Sequence, residues 1–100
     1  MSEPVYKLFI VKRFTDAWHQ LSKEEQDTFV AKTQASEAAL GREFVLTCDS
    51  RWANEDTAWW GVVKYPNVEA AQQFVAQNED HWRYIESKSI LGTKMPDEEA

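Results

Sequence analysis

Apolar residues fall into four short dense runs, separated by two stretches in which they recur three or four positions apart. Val5 to Phe14 (VYKLFIVKRF) is rich in β-branched and aromatic residues and predicts a first strand. Both of its alternating sets are apolar: Val5, Phe9 and Val11 in one, and Tyr6, Leu8, Ile10 and Phe14 in the other. Glu43 to Ser50 (EFVLTCDS) predicts a second strand, with Phe44, Leu46 and Cys48 on one face and Val45 on the other. Thr57 to Tyr65 (TAWWGVVKY) predicts a third. There Trp59, Gly61, Val63 and Tyr65 point one way, and Ala58, Trp60 and Val62 the other. A last strand is expected around Ser87 to Met95, carrying Ile90 and Leu91.

Two helices separate these strands. Ser22-Lys23-Glu24-Glu25 fits a capping box, in which the Ser22 hydroxyl accepts from the N–H of Glu25. The hydrophobic staple that often goes with it is missing, because Gln26 stands where Leu21 would need an apolar partner. This helix is expected to run to about Leu40 and stop at Gly41, with Phe29, Val30, Thr33, Glu37 and Leu40 on one face. Asp16 to His19 predicts a further short turn ahead of it. The second helix begins with Asn67 as N-cap, places Glu69 in its first turn, and repeats Val68, Ala71, Phe74 and Val75 at helical spacing. Glu79 to Ile85 predicts an extra helical turn before the last strand.

The order β-α-β-β-α-β is that of the ferredoxin-like α+β fold, a four-stranded antiparallel sheet with both helices on one face. One face of such a sheet remains uncovered, and a face meeting water should alternate cleanly between apolar and polar residues. These strands are apolar on both sides. Burying one large apolar side chain contributes about 1.5–3 kcal/mol, so several left bare on one surface predict a partner. The simplest partner is the same face of a second copy about a two-fold axis, giving a homodimer built sheet against sheet.

Composition narrows the classes. One hundred residues allow a single domain, with a core of about 5–95 and an acidic tail over 96–100. Five Trp, three Tyr and five Phe exclude a disordered chain, and three Gly with three Pro exclude a collagen-like or linker composition. A net charge of −6 repels phosphates, so neither nucleic acid nor an anionic membrane is an expected partner. No apolar run approaches the roughly 18 residues of a spanning helix, and Met1-Ser2-Glu3-Pro4 lacks the layout of a signal peptide. A single cysteine, Cys48, fits a reduced, cytoplasmic protein.

Two stretches carry a resemblance to a known group. Trp18-x-x-Leu21-Ser22-x-Glu24-Glu25-x-x-x-Phe29 resembles the first-helix entry of uncharacterised, including darcynin-like, members of the dimeric α/β-barrel superfamily. Val68-Glu69-Ala70-Ala71-Gln72-Gln73-Phe74, followed by Asp80-His81-Trp82-Arg83-Tyr84, is similar to the second helix and His-bearing segment of stress-responsive barrel proteins and plant polyketide cyclases. The resemblance spans roughly residues 5–94 and implies ferredoxin-like chains that pair their sheets into a barrel. It implies a pocket between sheet and helices, and a histidine after the second helix that acts with a tyrosine on that helix. His81 matches the histidine, whereas the tyrosine position falls on Phe74, which has no hydroxyl. Trp59, Gly61 and Val63 would face the pocket, with Gly61 leaving room beside Trp59. Whether Lys7 or Leu8 lines it depends on a one-residue register, which the sequence leaves open.

The expected chemistry follows. Histidine titrates near neutrality, so His81 is the expected acid/base group in a semi-enclosed pocket. Tyr84, three residues on, would supply a phenol if that turn is helical, or would simply pack. The substrate implied is a hydrophobic, aromatic or polyketide-like molecule held among Trp59, Gly61, Val63, Phe74, Trp82 and Phe29, for cofactor-independent cyclisation, isomerisation or oxygenation. The alternative is a non-catalytic ligand-binding or stress-related dimeric module, which the Phe74 departure favours. A third reading takes His81 as an axial haem ligand, but the acidic balance offers little for propionates. His19, His81 and Cys48 lack metal-ligand spacing, and no two glycines lie close enough to cradle a phosphate, so neither a metal nor a bound nucleotide or other cofactor is expected. His19 reads as a solvated residue at a helix entrance, and Cys48 as a small packed hydrophobe. In the loop after the second strand, Arg51 beside Trp52 would meet a carboxylate ligand or, preferably, a partner subunit.

Overall fold

The computed structural model describes residues 3–53 and 56–96. The acidic tail from residue 97 and two positions of the loop after the second strand lie outside that range. The chain runs β1 (Val5–Phe14), α1 (Asp16–His19), α2 (Lys23–Leu40), β2 (Glu43–Asp49), β3 (Trp59–Tyr65), α3 (Val68–Gln77), α4 (His81–Tyr84) and β4 (Ile85–Gly92). The four strands form one sheet in the order β2-β3-β1-β4, with every pairing antiparallel. This is the expected ferredoxin-like order, with β1 and β3 central and β2 and β4 at the edges.

Local signals fix the helix ends. Ser22 Oγ accepts from the N–H of Glu25 at 3.1 Å while Glu25 Oε1 accepts from the N–H of Ser22 at 2.9 Å, which completes the capping box. The missing staple has a polar replacement: Gln26 Nε2 donates to the carbonyl of Trp18 at 3.1 Å and ties α1 to α2. Gly41 ends α2 at φ 71°, a left-handed conformation open to glycine, and the N–H of Arg42 then returns to the carbonyl of Glu37. Asn67 caps α3 by accepting from the N–H of Ala70 at 2.8 Å. The two short helices are joined through Thr15, whose N–H donates to the carbonyl of Tyr84 and whose hydroxyl donates to that of Arg83.

The core lies between sheet and helices: Val5, Val63, Tyr65, Ala70, Ala71 and Phe74 are buried, with Phe9 and Leu40 packed against them. The register resolves the first strand. Val5, Lys7, Phe9 and Val11 stand opposite Tyr65, Val63, Gly61 and Trp59, so Lys7, not Leu8, faces the helices. Two expectations need correction. A register shift between Phe44 and Leu46 places Phe44 beside Val63 on the helix side but Leu46 and Cys48 beside Val62 and Trp60 on the other. Strict alternation cannot foresee such a bulge. Within α2, Val30 is exposed, and the inward positions include Gln26, Phe29, Thr33, Ser36, Glu37 and Leu40.

The side of the sheet away from the helices carries Leu8, Ile10, Trp60, Val62, Leu46 and Ile90. Ile10, Leu46 and Ile90 are exposed in the single chain. The two-sided apolar pattern therefore corresponds to one packed face and one open face.

Candidate functional site

The cavity nearest the expected site lies between α3, α4 and the β1–β4 side of the sheet. It has a volume of about 50 Å³ and is lined by Lys7, Phe74, Val75, Asn78, His81, Trp82, Ile85 and Ser87. Its members come from three directions. The register of β1 turns Lys7 inward, α3 supplies Phe74, Val75 and the capping Asn78, and α4 places His81 at its first position.

His81 is wedged between aromatic rings, 5.1 Å from Phe29 and 5.9 Å from Phe74 by ring centroids. Its Nε2 lies 3.1 Å from Thr33 Oγ1. The single hydroxyl proton of Thr33 has an acceptor one helical turn back, the carbonyl of Phe29 at 3.1 Å. Thr33 therefore accepts from His81, which assigns the ring proton to Nε2 and leaves the lone pair on Nδ1. Burial lowers the His81 pKa below the ordinary 6.5; the charge of Asp80 opposes this, and those of Arg42, Lys7 and Lys32 reinforce it. The imidazole is thus neutral at pH 7, in the form that accepts a proton. Asp80 is engaged with Lys32 at 3.5 Å rather than with the ring.

Lys7 is half-buried and makes no ion pair or hydrogen bond among the described residues. Burial, and secondarily the nearby Arg42, lowers its pKa from the ordinary lysine value. Asn78 is only 3% exposed. Its Nδ2 donates to the carbonyl of Phe74 at 2.8 Å, which orients the amide and leaves the buried Oδ1 without a partner. The cavity therefore presents a cation, a free acceptor and a neutral imidazole within an otherwise apolar lining.

Behind it sits a buried ion pair. The Arg42 guanidinium meets the Glu37 carboxylate, donates to Tyr65 Oη at 3.1 Å, and lies 4.3 Å from the Phe74 ring centre. This explains a charge at 37 on an inward helix face. Burial raises the Tyr65 pKa, against the pull of Arg42.

The remaining expected residues are placed as follows. Phe74 and Trp82 line the cavity with His81, Trp82 being 59% exposed. Phe29 stands behind the imidazole and also packs edge-on against Tyr84 at 5.1 Å. Tyr84 packs against Phe29 and Trp18 and does not line the cavity. Val63 is fully buried in the core, and Trp59 packs against Phe14 at 5.3 Å. The space beside Gly61 is taken by the Phe9 ring. His19 is exposed. Arg51 is committed to Asp49 through two 3.0 Å contacts, and Trp52 stands exposed. Asn78 and Arg42 escaped the sequence reading; Thr33 was placed only on a face of its helix, and Lys7 was left open against Leu8 until the register settled its facing.

Among the described residues no group of three His, Cys, Asp or Glu side chains converges as a metal site, and no helix is long and apolar enough to cross a membrane. No protein-family model matches the sequence, and no curated protein matches it. Solved structures do. RPA0582, a protein of unknown function from Rhodopseudomonas palustris, superposes with a TM-score of 0.64 at 13% identity, over 95% of this chain and 85% of that one. A mutant chlorite dismutase from Candidatus Nitrospira defluvii gives 0.66 at 16% identity, over 92% of this chain but only 40% of that one. A mutant of SnoaB, a cofactor-independent oxygenase from Streptomyces nogalater, gives 0.53 at 15% identity, over 93% and 94% of the two chains. At such identities the likeness is one of fold: the chain shares the ferredoxin-like α+β architecture of these structures.

Proposed function

We propose that this protein is a cofactor-independent small-molecule enzyme in which His81 removes a proton from a hydrophobic carbonyl or phenolic substrate. One observation carries the reading: a half-buried neutral imidazole, held by Thr33, shares a cavity with the ammonium of Lys7. Proton abstraction next to a carbonyl, or from a phenol, leaves negative charge on oxygen. A cation in a semi-enclosed apolar site stabilises that charge far better than water does. Nδ1 of His81 would take the proton, Lys7 would face the oxyanion, and Thr33 would act as a positioning residue. Cyclisation, isomerisation and cofactor-free oxygenation of aromatic or polyketide-like compounds all pass through such an anion. The structural likeness to SnoaB, itself a cofactor-independent oxygenase, is consistent with this class.

The test is deuterium exchange at acidic C–H positions of aryl ketones and 1,3-dicarbonyl compounds, followed by NMR. The protein should accelerate exchange, with a base-limb pKa below 6.5, and His81→Gln should abolish it. Thr33→Val should keep some exchange but move the pH profile. No acceleration with any compound, alongside measurable binding, would favour a second reading as a ligand-binding module. The small cavity, about 50 Å³, and the phenyl ring of Phe74 support that alternative.

The open sheet face is proposed to pair with its counterpart in a second copy, burying Leu8, Ile10, Trp60 and Val62. Sedimentation should give twice the 11.6 kDa of one chain, and Val62→Lys should shift the equilibrium to monomer. A wild-type monomer at micromolar concentration would sink the pairing.

A further inference from the structure

Next to the polar cavity runs a larger one. A crevice of about 470 Å³ lies between α3 and the end of β4, lined by Val5, Val68, Ala71, Gln72, Val75, Leu91, Gly92 and Thr93. Apart from Gln72 and Thr93 its walls are apolar or backbone, and its volume falls within the roughly 300–1,000 Å³ typical of small-molecule sites. Val75, 44% exposed, borders both spaces. Lys7 and Leu91 are cross-strand partners, so the floor of the crevice passes directly from an apolar side chain to the lysine. At the far end stand the buried Oδ1 of Asn78, which has no partner, and the imidazole of His81.

We infer that the two spaces form one binding site for an amphipathic acyl compound: an unbranched or aryl-alkyl chain lies along Val68, Val75 and Leu91, and an oxygen-bearing head enters between Lys7, Asn78 and His81. This deepens the proposed function and rests on its view of Lys7 and His81 as the groups facing the head. Charge and hydrogen bonding select the occupant. Lys7 has no carboxylate of its own among the described residues and calls for an anionic or carbonyl oxygen. Lys7 carries the preference for an anion; the Asn78 oxygen takes no proton from an ionised carboxylate, so a hydroxyl beside the carboxylate would add to the binding of a simple acid. The chain gains by leaving water, about 0.8 kcal/mol for each methylene fully buried, or about fourfold in affinity. An open crevice shields only part of each methylene, so roughly twofold per carbon is expected.

The probe series is hexanoate, octanoate and decanoate, with decanol and decyltrimethylammonium as head-group controls and acetate as the chainless control. Binding to the full-length protein is followed by calorimetry and by the fluorescence of Trp82, which borders the head. Affinity should rise about twofold per carbon, decanoate should exceed decanol at least tenfold, and the quaternary amine should not bind. Val75→Gln and Leu91→Thr, both at half-exposed positions, should flatten the dependence on chain length while preserving the preference for carboxylate over alcohol. Lys7→Met should do the reverse. Equal affinity for acetate and decanoate, or a dependence on chain length untouched by Val75→Gln and Leu91→Thr, overturns the inference. A change in sedimentation without a change in binding in those two variants also overturns it, since the crevice would then be a protein contact. A wild-type protein that follows chain length but shows no preference for carboxylate over alcohol, or a Lys7→Met variant that keeps that preference, would instead count against Lys7 as the head-group cation and so against the proposed function.

Discussion

Gly61 offers the sharpest test of how this sheet is packed. It sits in β3, flanked by Phe9 on β1 and Thr47 on β2. A Cβ built there would stand 2.5 Å from the carbonyl oxygen of Leu46, 2.7 Å from Phe9 Cζ and 3.0 Å from Phe9 Cε2. The two neighbours differ in what they can yield. The Phe9 ring can tilt about its side-chain torsions, but the Leu46 carbonyl belongs to the backbone of β2 and moves only with the ladder. Overpacking of this kind costs about 1–3 kcal/mol, and a backbone contact places Gly61→Ala in the upper half of that range. For a domain of this size, 2 kcal/mol corresponds to a Tm lower by roughly 8–16 °C. Thermal and urea unfolding at matched protein concentration would measure it, since any dimer links stability to concentration. Adding Phe9→Leu removes the ring contact but not the carbonyl contact, so the double variant should recover about 0.5–1 kcal/mol and no more. A Gly61→Ala protein within 0.5 kcal/mol of wild type would refute the packing. The space beside Trp59 would then be open, and the substitution should alter ligand binding instead of stability.

Two further outcomes follow from the buried charges. Arg42→Met strands the Glu37 carboxylate and removes a donor from Tyr65, and should cost about 3–5 kcal/mol in urea unfolding. The double variant with Glu37→Gln should regain most of that, because no unpaired charge remains; equal costs for the single and double variants would contradict a buried pair. The lowered His81 pKa sets the sign of a pH effect. Above 6.5 the imidazole is neutral in both folded and unfolded chains and contributes nothing. As pH falls through 6.5 the unfolded chain takes up a proton that the folded chain resists, so stability declines until the folded pKa is passed. Wild type should therefore lose stability relative to His81→Gln between pH 8 and 5, and parallel urea midpoints across that range would contradict a buried neutral histidine.

The fold was legible because its signals are local. The capping box at Ser22, the left-handed stop at Gly41, the Asn67 cap and the aromatic strands each act within a few residues, and together they force the β-α-β-β-α-β order. The two-sided apolar strands were legible as well, since alternation needs only the sequence. What escaped depends on pairing. The bulge at Val45 that splits Phe44 from Leu46 costs one residue of register, and nothing within β2 announces it. The inward facing of Lys7 rests on its pairing with Val63. The Glu37–Arg42 pair is close in sequence, yet it becomes buried only because Phe74 and Tyr65, from other elements, close over it. The site was half legible for the same reason: His81 and Phe74 could be placed by their positions around the second helix, whereas the cation and the free acceptor that give the cavity its chemistry arrive from a distant strand and a helix end.

That chemistry runs against the charge of the whole chain. With a net charge of −6 the surface field is negative, yet the groups that hold His81 neutral include three cations, Arg42, Lys7 and Lys32. Two of them have carboxylates: Arg42 meets Glu37 in the interior, and Lys32 meets Asp80 beside α4. A paired cation is largely spent on its partner, and its field at a third group is that of a dipole, falling quickly with distance. Lys7 has no such partner among the described residues, and it is the one of the three that lines the cavity. Burial makes an unpaired ammonium costly, so a side chain that served only packing would be better replaced by Met or Leu, which fill the same volume without the desolvation penalty. Lys7, turned inward on a central strand, lines the same cavity as the Asn78 oxygen and the His81 imidazole, and the proposed anionic or carbonyl head would supply the counter-charge that its own chain does not place there.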